Sequence, residues 1–400
     1  MVKEKGPASA SEYTKYRRQL ANTQLVLSDK NQNVPAYERK SIISRSPIVD
    51  ALNNSFTSRF SRKSRREFIS SFGNVSILHG KGVNYNSYGP ISGAAAPIVF
   101  NDAILFLTVA GSGGTQRNLI VHVPLDGSAA TLAYDQLTSA GLFLGMNVYN
   151  NQIYLSVNTN PSVIRTATLN PATKQISLDS PVFATITGST GSAGTRAIAF
   201  DRAGNMYVQN LSGATPRISK IRRDGTVDDL NWSTGIINAQ PTQATCVVVN
   251  GVEYLYVGES AGGTGSSVKR IRLDNPSSVQ VVAGGVGGAF PGDNVNPVGV
   301  SIGTTRSVSS DSYGNIYFSS DDHNRHYMID VETGLMRTIM GDGGGSDTLA
   351  AGIPGTSADT SQSRGFTIDE RTKTVYVLST NGTIRAMPYF VSTKEIGGYI

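Results

Sequence analysis

Cysteine is almost absent from this chain of 400 residues. Its one cysteine, Cys246, cannot form an intrachain disulfide, which excludes the small folds that disulfides hold together. No run approaches the ~18 consecutive apolar residues of a membrane-spanning helix, and the first thirty residues contain no apolar signal core. Only 16% of the residues are charged, too few for a coiled coil or a charge-driven disordered chain. We therefore expect no membrane span, and either a cytoplasmic protein or one assembled inside a cell into something larger.

Charge and glycine divide the chain near residue 72. Residues 1–72 hold 14 Lys and Arg against 6 Asp and Glu, whereas the remaining 328 residues hold 21 against 23. Of the 43 glycines, only Gly6 precedes residue 73. The sequence therefore predicts a basic arm over 1–72, a separate domain over 73–390 and a short tail over 391–400.

The arm carries two helix signals and a basic cluster. A capping box at Ser9 and Glu12 predicts a helix over about 10–28, and Ser46 followed by Pro47 predicts the start of a second. This second helix ends in a run of cations: Arg59, Arg62, Lys63, Arg65 and Arg66. They would either anchor acidic partners or phosphate, or form a solvated helix end whose dipole favours cations.

Beyond residue 73 the sequence repeats one pattern of strands and turns. Blocks containing Asp201, Asp311 and Asp369 share a strand, a turn and a second strand, and weaker copies begin near Ile98, Leu144 and Ala244. The period is roughly 45–60 residues, and each unit is consistent with four strands. The pattern predicts an all-β fold, a six-bladed β-propeller.

The two ends of the repeat region are expected to pair. The last unit offers only three strands, ending at residues 383–387, while residues 74–80 resemble the fourth strand of other units. Pairing these segments would complete the sixth blade and leave no open edge between first and last blades. The predicted ring is therefore closed by an N-terminal strand.

Part of this region resembles a known repeat. The residues Asp311-Ser-Tyr-Gly314-Asn315, continuing through His326 to the Thr-Ile-Met-Gly-Asp run that ends at Asp342, are similar to an NHL repeat. The resemblance covers 279–390 and is recognisable at 195–230. NHL-type propellers are mostly binding platforms and some relatives are lyases or lactonases, so the resemblance implies the fold and leaves the activity open.

The resemblance also implies a place to look for a metal. Related propeller enzymes hold one in the central channel through His and carboxylate or amide ligands. His79 and His122 are expected on separate strands, and His323 with His326 offers two imidazoles without an evident third ligand. We expect no metal, no cofactor and no catalytic residue. Asp201, Asp311 and Asp369 are interpreted as turn residues, and Cys246 as a small buried one.

Three arginines recur at one position of the repeat. Arg196, Arg306 and Arg364 come just before the predicted innermost strands, so they should meet at one mouth of the channel. Guanidinium groups gathered there repel one another unless carboxylates, water or a ligand offset them. The arrangement predicts either an anion-binding rim or three exposed arginines with separate loop contacts.

Two classes of function follow. The first is a non-enzymatic interaction protein, anchored to protein subunits of a larger assembly through its arm, with propeller loops that contact neighbouring subunits or a host surface. In organisation it resembles virion proteins of tailed bacteriophages, some of which carry propellers in tail nozzle or hub proteins, so we expect a virion location. The alternative is a metal-dependent lyase or lactonase, or a carbohydrate-binding propeller. Nucleic-acid binding by the arm is a weaker option.

Overall fold

The computed structural model describes residues 64–79, 92–111, 116–187, 194–210, 217–233, 243–259, 265–346 and 349–397. Within these ranges, residues 71–390 form one compact unit, and the described ends, 64–70 and 391–397, belong to a second. No helix in the described ranges has the length and apolar character to cross a membrane.

Strands make up almost all of the described part of the chain. The first two precede the blades, and each pairs with the last strand of the chain. These are β1 (Ser64–Phe72) and β2 (Ser76–His79). Blade 1 comprises β3 (Ser92–Phe100), β4 (Ala103–Ala110), β5 (Arg117–Pro124) and β6 (Thr131–Leu137). Blade 2 comprises β7 (Leu142–Tyr149), β8 (Gln152–Asn158), β9 (Ser162–Leu169), β10 (Ile176–Leu178) and β11 (Ala184–Ile186). Blade 3 comprises β12 (Thr195–Phe200), β13 (Met206–Asn210), β14 (Arg217–Ile221) and β15 (Val227–Ser233). Single 3₁₀ turns occupy Thr138–Ala140 and Gly355–Ser357.

The last three blades repeat the same order. Blade 4 comprises β16 (Thr245–Val249), β17 (Val252–Glu259), β18 (Ser267–Arg272), β19 (Asn275–Val286) and β20 (Val298–Ser301). Blade 5 comprises β21 (Thr305–Ser310), β22 (Ile316–Ser320), β23 (Arg325–Ile329) and β24 (Met336–Met340). Blade 6 contains β25 (Ser363–Asp369), β26 (Thr374–Ser379) and β27 (Ile384–Gly397). The predicted six-bladed β-propeller is confirmed. Blade 2 splits its outer strand into β10 and β11, and blade 4 adds β20 parallel to β19.

The first strand of each blade is the innermost one. The six first strands, β3, β7, β12, β16, β21 and β25, are each at the end of their own sheet and contact the first strands of neighbouring blades around the ring. In blades 3 and 5 a short turn joins the first strand to the second, and Asp201 and Asp311 accept the amide hydrogens of Asn205 and Asn315 there at 2.8 and 3.0 Å. The turn interpretation of these aspartates is confirmed.

The hydrophobic core is divided into layers between blades rather than gathered in one centre. One cluster joins blades 1 and 2 and includes Leu105 and Leu155; others join blades 2 and 3, 3 and 4, 4 and 5, and 6 and 1. Blades 5 and 6 meet through Tyr317 and Phe366, whose stacked rings lie 5.0 Å apart. Each sheet therefore buries the face that its neighbour leaves open.

The N-terminal strand closes the ring as expected. β2 pairs antiparallel with β27, with Ser76 opposite Ala386 and Ile77 opposite Arg385. The backbone just before it is attached to the connection between blades 5 and 6, because the amide nitrogen of Val75 donates to the carbonyl oxygen of Ile353 at 2.8 Å. The sixth blade thus combines strands from both ends of the propeller sequence.

The end of the arm differs from the expectation. Arg65 and Arg66 belong to β1, which pairs with β27, so they do not end a helix. Backbone pairing with a long neighbouring strand overrides the local helix signal. Arg59, Arg62 and Lys63, and both expected helices up to residue 63, lie outside the described residues. At the other end β27 continues to Gly397, into the segment expected to be a tail.

Candidate functional site at the channel mouth

Arg196, Arg306 and Arg364 occupy equivalent positions in three blades. Each is the second residue of an innermost strand, β12, β21 or β25, rather than the residue before it. Because every blade begins with its innermost strand and repeats the same order, the three arginines lie at the same end of the channel. We call them the arginine rim.

Two of these arginines share one carboxylate. Asp321 Oδ2 lies 2.7 Å from Nε of Arg306 and 3.5 Å from Nη1 of Arg364. The Asp321 side chain is only 7% exposed, and Nη2 of Arg364 also donates to Oε1 of Gln362 at 3.2 Å. The site therefore contains a bridged pair of guanidinium groups with a third close by.

The charges at the rim influence one another. Burial lowers the pKa of Arg196, and the charge of Arg306 lowers it further. Burial also lowers the pKa of Arg364; Asp321 opposes this effect and Arg306 adds to it. Burial raises the pKa of Asp321 despite the two arginines beside it. All three cations thus lie within electrostatic range in a partly desolvated place, where an added anion would reduce their mutual repulsion.

Asp321 lies in the turn after β22, which is hydrogen-bonded to Thr304. Its backbone nitrogen donates to the carbonyl oxygen of Thr304 at 2.9 Å, and the nitrogen and hydroxyl of Thr304 both donate to Asp322 Oδ2 at 2.8 Å. Sequence reasoning did not assign Asp321 to the rim. Only the topology could have indicated this residue. In each blade the second strand runs antiparallel to the first, so the end of the second strand lies beside the start of the first.

Gln243 lies across the channel next to the rim. Its Nε2 donates to the carbonyl oxygen of Pro97 at 2.5 Å, and its Oε1 accepts from the backbone nitrogen of Phe366 at 3.3 Å and from the Ser307 hydroxyl. One side chain therefore connects blades 4, 5, 6 and 1 across the axis. Nothing in the local sequence pattern had indicated this residue.

Beyond Gln243 the channel contains a cavity of about 240 Å³. Its wall comes from the innermost strands of five blades and includes Gln243 itself, Thr245, Ser309 and Thr367. Ser309 follows Arg306 along β21, and Thr367 follows Arg364 along β25, so this space lies further along the strands than the rim. We call it the axial chamber.

The two histidines of the His323-x-x-His326 pair do not converge. The Nδ1 atom of His323 lies 2.8 Å from the Tyr327 hydroxyl, and its ring contacts Phe290 of blade 4. His326 is a buried residue of β23 whose ring contacts Phe366 of blade 6. Across the described ranges, no three His, Cys, Asp or Glu side chains are grouped so that they could hold a metal ion.

The remaining two histidines and the cysteine lie on strands. His79 lies on β2 and His122 on β5, the third strand of blade 1. Cys246 is a free, half-buried thiol packed against the core between blades 3 and 4. Burial raises its pKa well above the usual value, which disfavours the reactive thiolate.

Comparison with known proteins supports the fold. No family model matches the chain, and no curated protein does. A structural-genomics protein of unknown function from Bacteroides thetaiotaomicron matches with a TM-score of 0.58 at 12% identity, covering 81% of this chain and 77% of that one. An auxiliary nutrient binding protein from Bacteroides ovatus matches at 0.55 and 12%, covering 81% and 78%. An aldose sugar dehydrogenase from Streptomyces coelicolor, solved in its PQQ-bound form, matches at 0.50 and 12%, covering 82% and 100%.

These similar structures include a binding protein, an enzyme and a protein of unknown function. At such low identity they establish the propeller fold and no activity. The NHL-type resemblance is confirmed at the level of the fold, and the function must be argued from the residues of this chain.

Proposed function

We propose that this protein is a non-enzymatic binding platform whose arginine rim, Arg196, Arg306 and Arg364, receives an anionic group of a partner protein. The observation that carries the proposal is the sharing of one buried carboxylate, Asp321, by two guanidinium groups beside a third. Cations outnumber that carboxylate, and guanidinium forks match carboxylate or phosphate groups geometrically. A glutamate or aspartate side chain of a partner would reduce this excess of positive charge.

The structure supports a mouth rather than a through-channel. Gln243 spans the axis beside the rim with three hydrogen bonds, so a group entering from the rim side meets this side chain. Docking of a protruding acidic side chain fits such a cationic mouth. A substrate tunnel would need an open path.

The wider setting of the propeller is a proposal from the organisation of the chain. We propose that the basic arm, with Arg59, Arg62, Lys63, Arg65 and Arg66, docks on protein subunits of a larger assembly, and that this assembly is a bacteriophage virion. The support is the organisation of the chain: a basic, glycine-poor arm joined to a glycine-rich propeller. The alternative, a metal-dependent enzyme, would need a convergent ligand set that His323 and His326 do not provide.

An anion titration tests the rim. We expect an acetylated hexaglutamate peptide to bind the full-length protein saturably in isothermal titration calorimetry, with an affinity that falls as salt rises. The double variant Arg306→Gln, Arg364→Gln should lose this binding at least roughly tenfold, equivalent to about 1.4 kcal/mol. The matched control is Arg222→Gln, an exposed arginine paired with Asp228 on blade 3. Equal binding by all three proteins would refute the rim as the site.

A second experiment tests the arm. Replacing its five clustered cations by glutamine in the full-length chain removes the charge without deleting β1. If the arm drives assembly, light scattering should show a smaller species than the unaltered protein forms at the same concentration. An unchanged mass, with an unchanged salt response, would contradict the anchoring role.

A further inference from the structure

We propose that the axial chamber binds a small, neutral, polyhydroxylated molecule such as a monosaccharide. The chamber is separated from the arginine rim by Gln243 and is lined by the innermost strands of blades 1, 2, 4, 5 and 6. Its location, size and wall chemistry each restrict what it can hold. The proposal does not depend on anion binding at the rim.

The first restriction comes from the backbone. Each innermost strand is the edge strand of its sheet, and an edge strand leaves one row of peptide N–H and C=O groups without ladder partners. Around the axis these rows face one another. The wall therefore presents alternating donors and acceptors of no net charge, which suit a ligand with several hydroxyl groups because a hydroxyl both donates and accepts.

Side chains add to this array. The hydroxyls of Ser309 and Thr367 have no hydrogen-bond partner within the described part of the chain, whereas Thr245 Oγ1 lies 2.9 Å from Ser310 Oγ. The two amide side chains in the wall are already engaged: Asn147 Nδ2 donates to the Ile198 carbonyl oxygen at 2.7 Å, and Gln243 spans the axis. Ser309 and Thr367 are thus the side chains ready to contact an occupant.

The absence of charge separates this site from the rim. Among the described residues that line the chamber there is no Lys, Arg, Asp, Glu or His. Further along the same strands, Asp311 and Asp369 follow Ser309 and Thr367 within two residues. An anionic ligand would have no cation beside it in the chamber and two carboxylates nearby. The chamber should therefore bind a neutral sugar such as glucose more tightly than its anionic counterpart, glucuronate.

The volume sets the size class. A space of 240 Å³ corresponds to about eight water molecules at liquid density, which accommodates one sugar ring but not a disaccharide. The wall is also apolar in places, because Val99, Val308 and Ile368 contribute to it. A pyranose ring, with polar edges and apolar faces, matches such a mixed surface better than an ion does.

Methyl NMR of the full-length protein tests the proposal. The probes are D-glucose, glycerol and myo-inositol, with D-glucuronate as the anionic counterpart of glucose. We expect a saturable shift of the Val308 and Ile368 methyl signals with at least one neutral probe, and at least tenfold weaker binding of glucuronate. If no neutral probe shifts these signals up to its solubility limit, the chamber holds water only and the proposal is overturned.

Single substitutions test whether the wall residues contact the bound molecule. Thr367→Val and Ser309→Ala keep the shape of the wall and remove a hydroxyl each, so each should weaken the neutral probe several-fold. Thr131→Val, an exposed threonine on β6, and Arg306→Gln at the rim should leave it unchanged. Loss of glucose binding in Arg306→Gln, or equal binding by Thr367→Val, Ser309→Ala and the unaltered protein, would overturn the assignment of the wall.

Discussion

Gln243 and Pro97 are joined across the channel axis. The side-chain nitrogen of Gln243 donates to the Pro97 carbonyl oxygen at 2.5 Å, although 146 positions separate the two residues in the chain. The same amide also accepts from Phe366 and Ser307. A single polar side chain therefore connects blades that otherwise meet only through their neighbours, and it separates the arginine rim from the axial chamber.

Replacing Gln243 by alanine should destabilise the propeller. The substitution leaves the buried nitrogen of Phe366 and the Pro97 carbonyl without their partner, and unsatisfied buried groups cost about 1–3 kcal/mol each. We expect the free energy of unfolding in urea to fall by about 3 kcal/mol. Gln175→Ala, which removes one exposed bond to the Leu132 carbonyl, is the matched control. A Gln243 variant as stable as this control would show that the cross-channel bonds contribute little.

Replacing Asp321 by asparagine should make stability depend on anions. Asparagine keeps the size of the side chain but removes the charge that Arg306 and Arg364 share, leaving cations uncompensated in a partly buried site. We expect a loss of about 3 kcal/mol, recovered more by sulfate than by chloride at equal ionic strength. Thermal denaturation in the two salts measures this difference. The electrostatic account fails if the variant and the unaltered protein respond to both salts alike.

Replacing His326 by leucine should stabilise the protein in acid. Burial, and then the charge of Arg385, lower the pKa of His326 to about 3, and both ring nitrogens lack hydrogen-bond partners in the described structure. The folded state therefore resists a proton that the unfolded state accepts below pH 6.5. This contribution to stability is complete above pH 6.5 and decreases as the pH falls towards 3, by about 2 kcal/mol at pH 5.

The leucine variant removes this loss, so its advantage should grow as the pH falls from 7.5 to 5. Urea denaturation at several pH values measures it. His323→Leu serves as the comparison, because it removes an imidazole bonded to Tyr327 and should lower stability. A constant difference between His326→Leu and the unaltered protein across this pH range would disprove the assigned cause.

Replacing Gly365 by alanine should loosen the contact between blades 6 and 1. An added Cβ atom would overlap the ring of Pro97, which cannot move far, and the Cβ of Leu378 lies 3.5 Å from the same position. Overpacking of this kind costs about 1–3 kcal/mol. Gly345→Ala is the control, since its Cβ would meet only Asn324 Nδ2 at 3.4 Å. Calorimetry should show a lower melting temperature for Gly365→Ala alone; equal melting temperatures would mean that the junction adjusts freely.

The repeat pattern was sufficient for most of the fold. Turn residues such as Asp311 and Asn315 act within a few positions of one another, so their spacing predicts the hairpins directly. The closure by β2 was also predictable, because the last unit lacked one strand and residues 74–80 could supply it. The strand β1 was missed, since residues 64–72 take their conformation from pairing with β27 rather than from local preference.

The candidate site was only partly predictable. The recurrence of Arg196, Arg306 and Arg364 in equivalent blocks indicated a common end of the channel. The carboxylate that Arg306 and Arg364 share comes from the turn after β22, and the sequence pattern gave no reason to connect Asp321 with them. His323 and His326, close in sequence, face different blades because successive strand and turn positions point their side chains in different directions.

The sequence by itself determined the repeat, the number of blades, the closing strand and the split between a basic arm and a nearly neutral propeller, because these depend on local spacing and composition. Only the tertiary structure decided that Asp321 bridges two arginines, that Gln243 spans the axis and that a neutral chamber lies beyond it. Such contacts join residues from different blades. Their geometry exists only after the ring has closed, when the innermost strands of all blades face one axis.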